Sequence, residues 1–353
     1  MAYASIDKSA LFFKNKRFTG NNTSGHAITG VGFQPDMVWF KNASSTQNWR
    51  AFDVLRGATY RLVPNENSAN AAEAQQLQAF GSDGFTVGAD GSVNGNTETM
   101  NAFCWKAGTS VSGTTTGSGT GKAYSGSVST TAGFSIIKYL GNGSAGHTIP
   151  HHLSAVPKMI IVKKLTSADW QVYHVGIGNT KKLSLNTTGA ASVENTRWNS
   201  TTPTSSVFTL GTSGNVNAND VSFIAYCFAE KTGFSKFGTF EGNGTAYPNS
   251  PFIYTGFKPK LFLWKNADDS GGDDHWNFVD SEAQQYNARD GGFYWLDSTY
   301  TESNFSGNEI NFLSNGVKIN PASAYHNQSG STYIYMAFGQ SIVGSNNIPA
   351  TAR

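Results

Sequence analysis

Two cysteines in 353 residues are too few for a disulfide framework or a cysteine-built zinc site. Charge is sparse as well: only 14% of residues are Asp, Glu, Lys or Arg, and 25 basic against 23 acidic residues leave a net charge of +2. That balance supplies no electrostatic drive toward nucleic acid or an anionic membrane. No apolar run reaches 18 residues, so no helix-spanning segment is expected. Met1 to Ala10 lacks the apolar stretch of a secretory signal, which points to synthesis in a cytosol. Ala, Glu, Lys and Leu are too scarce for coiled coils or long helical bundles.

What the chain has is turn formers and rings. Gly, Ser, Thr and Asn supply about 40% of it, and 24 Phe, 14 Tyr and 8 Trp offer large apolar faces that are most stable when buried. The rings argue against disorder. A β-rich, turn-rich globular protein follows.

Internal repetition organises the sequence. Phe18-Thr-Gly-Asn21 recurs as Tyr139-Leu-Gly-Asn142 and Phe240-Glu-Gly-Asn243. Pro35-Asp-Met-Val-Trp-Phe-Lys41 recurs as Pro157-Lys-Met-Ile-Ile-Val-Lys163 and Pro259-Lys-Leu-Phe-Leu-Trp-Lys265. Trp49, Trp170 and Trp276 each stand four residues ahead of Asp53, His174 and Asp280. Ala102-Phe-Cys-Trp105, Ala225-Tyr-Cys-Phe228 and Tyr335-Met-Ala-Phe338 close the three copies. The expectation is an all-β chain of three tandem homologous antiparallel β-sandwich units, jelly-roll-like, with about eight strands each. The boundaries read as an N-terminal arm over 1–12, repeats over 13–108, 133–232 and 233–341, and a C-terminal tail over 342–353. Between the first two repeats, 109–132 is a Gly/Ser/Thr tract of flexible-linker composition.

Short apolar runs opened by proline, such as Met37–Phe40, predict buried strands. Asn-Gly and Asp-Gly pairs at 94, 142, 243, 315, 83, 90 and 290 predict tight turns. Ala69–Phe80 alone reads as helical. Cys104 and Cys227 occupy equivalent positions in separate copies, too far apart to bridge, and read as small buried strand residues.

No catalytic signature is present: no nucleophile elbow, phosphate loop, zinc-protease helix or dinucleotide fingerprint. Asp53, His174 and Asp280 are the best acid-base candidates, but the position alternates between Asp and His, which favours structural hydrogen bonding at a strand end. Asp268–Asp274 could hold calcium or be a solvated loop, and His147, His151 and His152 could meet a metal or line a turn. Neither metals nor cofactors are expected. Lys41, Lys163 and Lys265 end each central run; they read as stems along a sheet with the ammonium in water, or as contacts to an anionic glycan or phosphate. Trp198 and Trp295, with Tyr294 and Tyr300, could stack on sugar rings or fill their own folds.

The runs Gly141-Asn-Gly-Ser-Ala-Gly-His-Thr-Ile-Pro-His151, Pro157–Lys163, Trp170-Gln-Val-Tyr-His174, Ser205–Gly211, Tyr226–Glu230, Leu313–Gly316 and Tyr333–Phe338 resemble a repeat domain of virion structural proteins of marine tailed bacteriophages, cyanophages among them. The resemblance covers 133–341 well and 13–108 more loosely, where Asn22 replaces the second glycine of the Gly-Asn-Gly motif. It implies a non-enzymatic virion component assembled in an infected cytoplasm and exposed on the virion surface, as a homo-oligomer or in multiple copies per virion. A tail fibre or tail-tip adhesin contacting host surface polysaccharide is the first expectation. A capsid decoration protein is the alternative, and a depolymerase the remote one. Other virion proteins would be the partners, with the short polar ends as docking arms; nucleic acid and membrane would not. The resemblance carries no site residues.

Overall fold

The computed structural model describes residues 4–6, 8–269, 271, 274–283, 287, 293–302 and 310–342. It is nearly all β, and the four α-helical turns among the described residues are each four residues long.

The first segment holds β1 (Phe13–Thr19), β2 (His26–Thr29), β3 (Met37–Asn42), β4 (Arg50–Asp53), β5 (Tyr60–Arg61), β6 (Ala71–Ala72), β7 (Leu77–Gly81), β8 (Gly84–Val87), the turn α1 (Gly91–Asn94) and β9 (Thr99–Trp105). Next come β10 (Thr109–Thr114), β11 (Thr116–Gly117) and β12 (Ala123–Ser129). The second segment follows with β13 (Phe134–Leu140), β14 (His147–Pro150), β15 (Pro157–Lys164), β16 (Gln171–His174), β17 (Lys181–Ser184), β18 (Ser192–Val193), α2 (Asn195–Trp198), β19 (Val207–Leu210), α3 (Gly214–Asn217) and β20 (Ser222–Ala229). The third contributes β21 (Ser235–Glu241), β22 (Phe252–Tyr254), β23 (Phe257–Asn266), β24 (Asn277–Asp280), β25 (Phe293–Trp295), β26 (Ile310–Leu313), β27 (Gly316–Ile319), α4 (Ala324–Asn327) and β28 (Thr332–Ser341).

Three larger antiparallel sheets contain the orders β1-β9-β3-β4, β13-β20-β15-β16 and β21-β28-β23-β24. Three small sheets, β2-β8-β7, β11-β14-β19 and β22-β27-β26, accompany them. Each larger sheet meets its small sheet across a local core, as Val38, Phe40, Ala102 and Cys104 meet Ile28, Phe85 and Val87 in the first segment. The opposite faces of the larger sheets turn to one core common to all three segments. It gathers Met37 and Trp39, Met159 and Ile161, and Leu261 and Leu263. Rings touch across the segments there: Phe103 lies 4.6 Å from Phe278, and Phe13 lies 5.2 Å from Phe338, centroid to centroid.

Two buried faces explain the uninterrupted apolar runs. Strand side chains alternate, so a strand buried on one face shows period two, whereas one buried on both faces is apolar throughout. In β15, Ile160 and Val162 enter the local core while Met159 and Ile161 enter the common one. Cys104 and Cys227 sit on local-core faces as free, fully buried thiols. Burial pushes the Cys227 thiol up to about 12 and the Cys104 thiol up as well.

The repeated Gly-Asn pairs have a steric and a hydrogen-bonding cause. A Cβ on Gly20, Gly141 or Gly242 would stand 2.1, 2.3 or 2.1 Å from the carbonyl oxygen of Gly95, Ala218 or Gln328. The amide of the following Asn21, Asn142 or Asn243 donates to the side-chain oxygen of Asn94, Asn217 or Asn327, at 2.9, 3.0 and 2.8 Å. Gly141→Ala is therefore expected to lower the unfolding free energy by about 1–3 kcal/mol through overpacking. Gly91→Ala, where nothing lies within 4 Å of the added methyl, is the control in the same denaturant titration.

Three local expectations need correction. The 109–132 tract is no free linker, because β10, β11 and β12 are paired strands. Their small side chains bury little, but backbone pairing of β12 to β13, of β11 to β14 and of β10 to β12 holds them in place. Val128 enters the local core and Val111 and Tyr124 pack against it. The helix expected over Ala69–Phe80 is strand β6 and the start of β7, since Leu77 is buried opposite Val87. Asp83-Gly84 and Asn315-Gly316 do lie at hairpins, but Asn94-Gly95 ends a helical turn.

Candidate functional site

The acid-base candidates singled out in the sequence lie at the junctions between segments. Asp53, His174 and Asp280 are fully buried where β4, β16 and β24 end. Their strand neighbours Ala51, Val172 and Phe278 belong to the common core, so period two turns all three toward it.

Each reaches the next segment. Tyr226 of the second segment donates its hydroxyl to Asp53 Oδ2 at 2.8 Å, while Arg56 Nε donates to the same oxygen at 2.6 Å. The amides of Leu55 and Arg56 donate to Asp53 Oδ1 at 3.0 Å each. The Arg56 guanidinium also donates to the carbonyls of Tyr60 and Ala51 and to Asn70 Oδ1. His174 Nδ1 accepts from the Gly176 amide at 3.0 Å, which leaves Nε2 to donate to the Tyr335 carbonyl of the third segment at 3.1 Å. This neutral tautomer is fully satisfied, and burial lowers the imidazole pKa to about 4. Asp280 accepts from Asn15 of the first segment and from the amides of Glu282 and Ala283.

A second belt runs the other way. The Trp49 indole donates to the Trp295 carbonyl at 3.0 Å, Trp170 to those of Val63 and Glu66 at 3.0 and 3.2 Å, and Trp276 to that of Ser184 at 3.0 Å. First grips third, second grips first, third grips second. The contacts close on themselves, as a linear string of segments could not.

Lys41, Lys163 and Lys265 require a correction. None lies along a sheet with its ammonium in water; all three are fully buried. Lys41 Nζ donates to the carbonyls of Gln47 at 2.6 Å and Thr299 at 3.0 Å, the latter in the third segment. Lys163 Nζ donates to the carbonyls of Lys164 and Thr166, and Lys265 Nζ to that of Asn266. Burial lowers Lys41 to about 7 and the other two to about 8.

Trp198 is buried in the second local core against Tyr173, so it offers no sugar platform. Tyr294 is likewise buried, bonded to Glu302 and Asn101. Trp295 is half-buried and stacked by His275 at 4.1 Å, and exposed Tyr300 meets it edge-on at 5.1 Å. His147, His151 and His152 do not converge. They bond Asn217 and Thr115, the Thr204 carbonyl, and Tyr124 respectively. In the Asp268–Asp274 loop, Ser270, Gly272 and Asp273 lie outside the described residues. Asp268 accepts from the Thr332 amide, Asp269 accepts from the Gly271 amide, and Asp274 is buried, which raises its carboxyl pKa. Among the described residues no cluster of three metal-ligating side chains forms.

Sequence reasoning read Asn94 only as part of a tight turn and missed Asn217 and Asn327. They close α1, α3 and α4 and hold the Gly-Asn loops in place, and their shared spacing from the strand that follows was the signal that could have found them.

A family model described as a domain of unknown function (DUF7483) matches residues 8–341, nearly the whole chain and the 109–132 tract with it. No curated protein and no solved structure matches.

Proposed function

The chain belongs to the family described as a domain of unknown function (DUF7483), and from that premise we propose that it is a non-enzymatic structural protein built from three homologous β-sandwich units closed into a ring. The observation that carries this reading is where the reactive groups lie. The acid-base candidates and Lys41 are spent on joining segments, and Lys163 and Lys265 are buried against carbonyls of their own segments. The recurring strand order and the equivalent Gly-Asn, tryptophan and asparagine positions support three copies of one unit. A rigid ring frees its outer loops, rich in Asn, Ser, Thr and Gly, for adaptable contacts.

The sequence resemblance extends the proposal to a role on the surface of a tailed-phage virion. There it serves as a tail fibre or tail-tip adhesin for host surface glycans, in several copies beside other tail proteins. Decoration of the head exterior is the second reading, favoured by open sheet edges suited to neighbouring subunits. Immunogold labelling of intact virions with antibody to this chain separates the readings. Tail label and blocking of adsorption by the purified protein are expected. Head label transfers the role to decoration, and unlabelled virions overturn the assignment. Release of reducing sugar from host polysaccharide would overturn the non-enzymatic reading.

A further inference from the structure

The three segments treat the same pair of sheet edges in three ways. In the second segment both edges are covered from within the chain: β12 pairs with β13, and β11 pairs with β14, where the Thr116 and Thr148 hydroxyls meet at 2.8 Å. In the first, β1 carries Lys14, Lys16 and Arg17, charges that discourage edge pairing. In the third, β21 and β22 end their sheets among the described residues with no strand on the outer edge of either; at the start of β21 the Ser235 amide donates to the Lys231 carbonyl at 2.9 Å and the Phe237 amide to Glu230 Oε2 at 3.5 Å, so the unpaired part of that edge lies beyond Phe237. Ile253 is buried opposite Val317, just as Ile149 is buried opposite Phe208, so Phe252 takes the place of Thr148. Phe252 is 45% exposed and Tyr254 56%, with Tyr247 nearby in sequence at 65%.

We infer that the free β21–β22 edge is a docking site for an uncharged, Gly/Ser/Thr-rich β-hairpin presented by a neighbouring protein. The chain contains its own template: one run, 109–129, covers both corresponding edges of the second segment. A single strand reaches one sheet only, whereas a hairpin with a short return spans two stacked sheets about 10 Å apart. Small residues belong to such a hairpin: in the template Gly113 lies against the Tyr124 ring of its own partner strand and Gly126 between Ile137 of β13 and Val111 of β10, leaving no room for a Cβ. An uncharged partner suits it too: the Lys236 ammonium already sits 5.4 Å above the Tyr254 ring, and Glu241 at the far end of β21 balances its charge. The edge is also continuous with the junction of the second and third segments, where Gly176 packs on Thr239. Backbone pairing supplies the affinity, and the exposed rings of Phe252 and Tyr254 cover the incoming small side chains. The inference stands apart from any virion assignment.

A synthetic peptide of residues 107–130 carrying Lys122→Ser, which removes its one charged side chain, titrated into the full-length chain and followed by amide hydrogen exchange, tests it. Saturable protection of 238–241 and 252–254 is expected. The double variant Phe252→Lys, Tyr254→Lys, whose side chains are exposed, should lose that protection while its thermal unfolding midpoint is unchanged. No saturable protection at millimolar peptide overturns the inference, as does protection confined to β1 and β2. Sedimentation showing a dimer of the full-length chain that the same double variant dissolves also overturns it, by assigning the edge to a second copy.

Discussion

Asp53→Ala lowers the unfolding free energy by about 3–5 kcal/mol, the cost of stranding a buried guanidinium without its carboxylate. Arg56 keeps its bonds to the Tyr60 and Ala51 carbonyls and to Asn70, but its charge has no other partner at salt-bridge distance among the described residues. The Tyr226 hydroxyl loses its acceptor in the same step, so the damage spans two segments. Asp53→Asn, which keeps one acceptor oxygen and nearly the same volume, should fall between the wild type and alanine. Replacing Asp53 and Arg56 together by Leu and Met should recover part of the loss, since a pair replaced by apolar groups strands no charge. Chemical denaturation of the four proteins measures the ladder. Asp83→Ala, at a carboxylate that only caps the Gly30 and Gly32 amides at the surface, is the control. Equal losses at Asp53 and Asp83 would contradict a junction role for Asp53.

Stability rises on going from pH 6 to pH 9. Lys41, Lys163 and Lys265 have folded-state pKa values near 7, 8 and 8 because burial disfavours the ammonium. In the unfolded chain they titrate near 10.4, so over that window the unfolded state holds more protons and each added pH unit favours the fold. The accumulated gain is on the order of 3–5 kcal/mol between pH 6 and 9. His151, His174 and His326, lowered to about 4 by burial, add a loss on the acid side. Below about 6.5 the unfolded chain takes up protons that these neutral rings refuse. The raised thiols and the raised hydroxyls of Tyr139, Tyr226 and Tyr294 act oppositely, because the unfolded chain releases those protons first at high pH. The optimum therefore falls near pH 9. Denaturant midpoints at unit pH steps check this, and Lys41→Met should flatten the rise. A maximum near pH 5 would contradict it.

The three lysines also mark where sequence reading stops. Lys41 follows Met37 and Trp39 at period two, so the sequence places it on their face of β3. Whether that face meets water or another segment depends on contacts more than 250 residues away, such as the Thr299 carbonyl, and no local pattern encodes them. The same holds for Trp49, Trp170 and Trp276, whose regular spacing is plain but whose acceptors lie across junctions. All-β character was legible because dense turn signals and apolar strand runs are local. The 109–132 tract misled because composition reports side-chain burial, and these strands are held chiefly by their backbone. Ala69–Phe80 misled because the propensity of Ala and Gln yielded to the burial of Leu77.

A common core and two opposed belts of junction bonds require the three segments to fold together. Calorimetry of the full-length chain, read with the isolated second segment (residues 109–232), tests this most directly. One transition with equal calorimetric and van't Hoff enthalpies is expected, and an isolated segment that lacks a cooperative transition because one face of β15 and β20 has lost its cover. Separate transitions for the full chain, or a second segment that unfolds cooperatively alone at the same temperature, would contradict it.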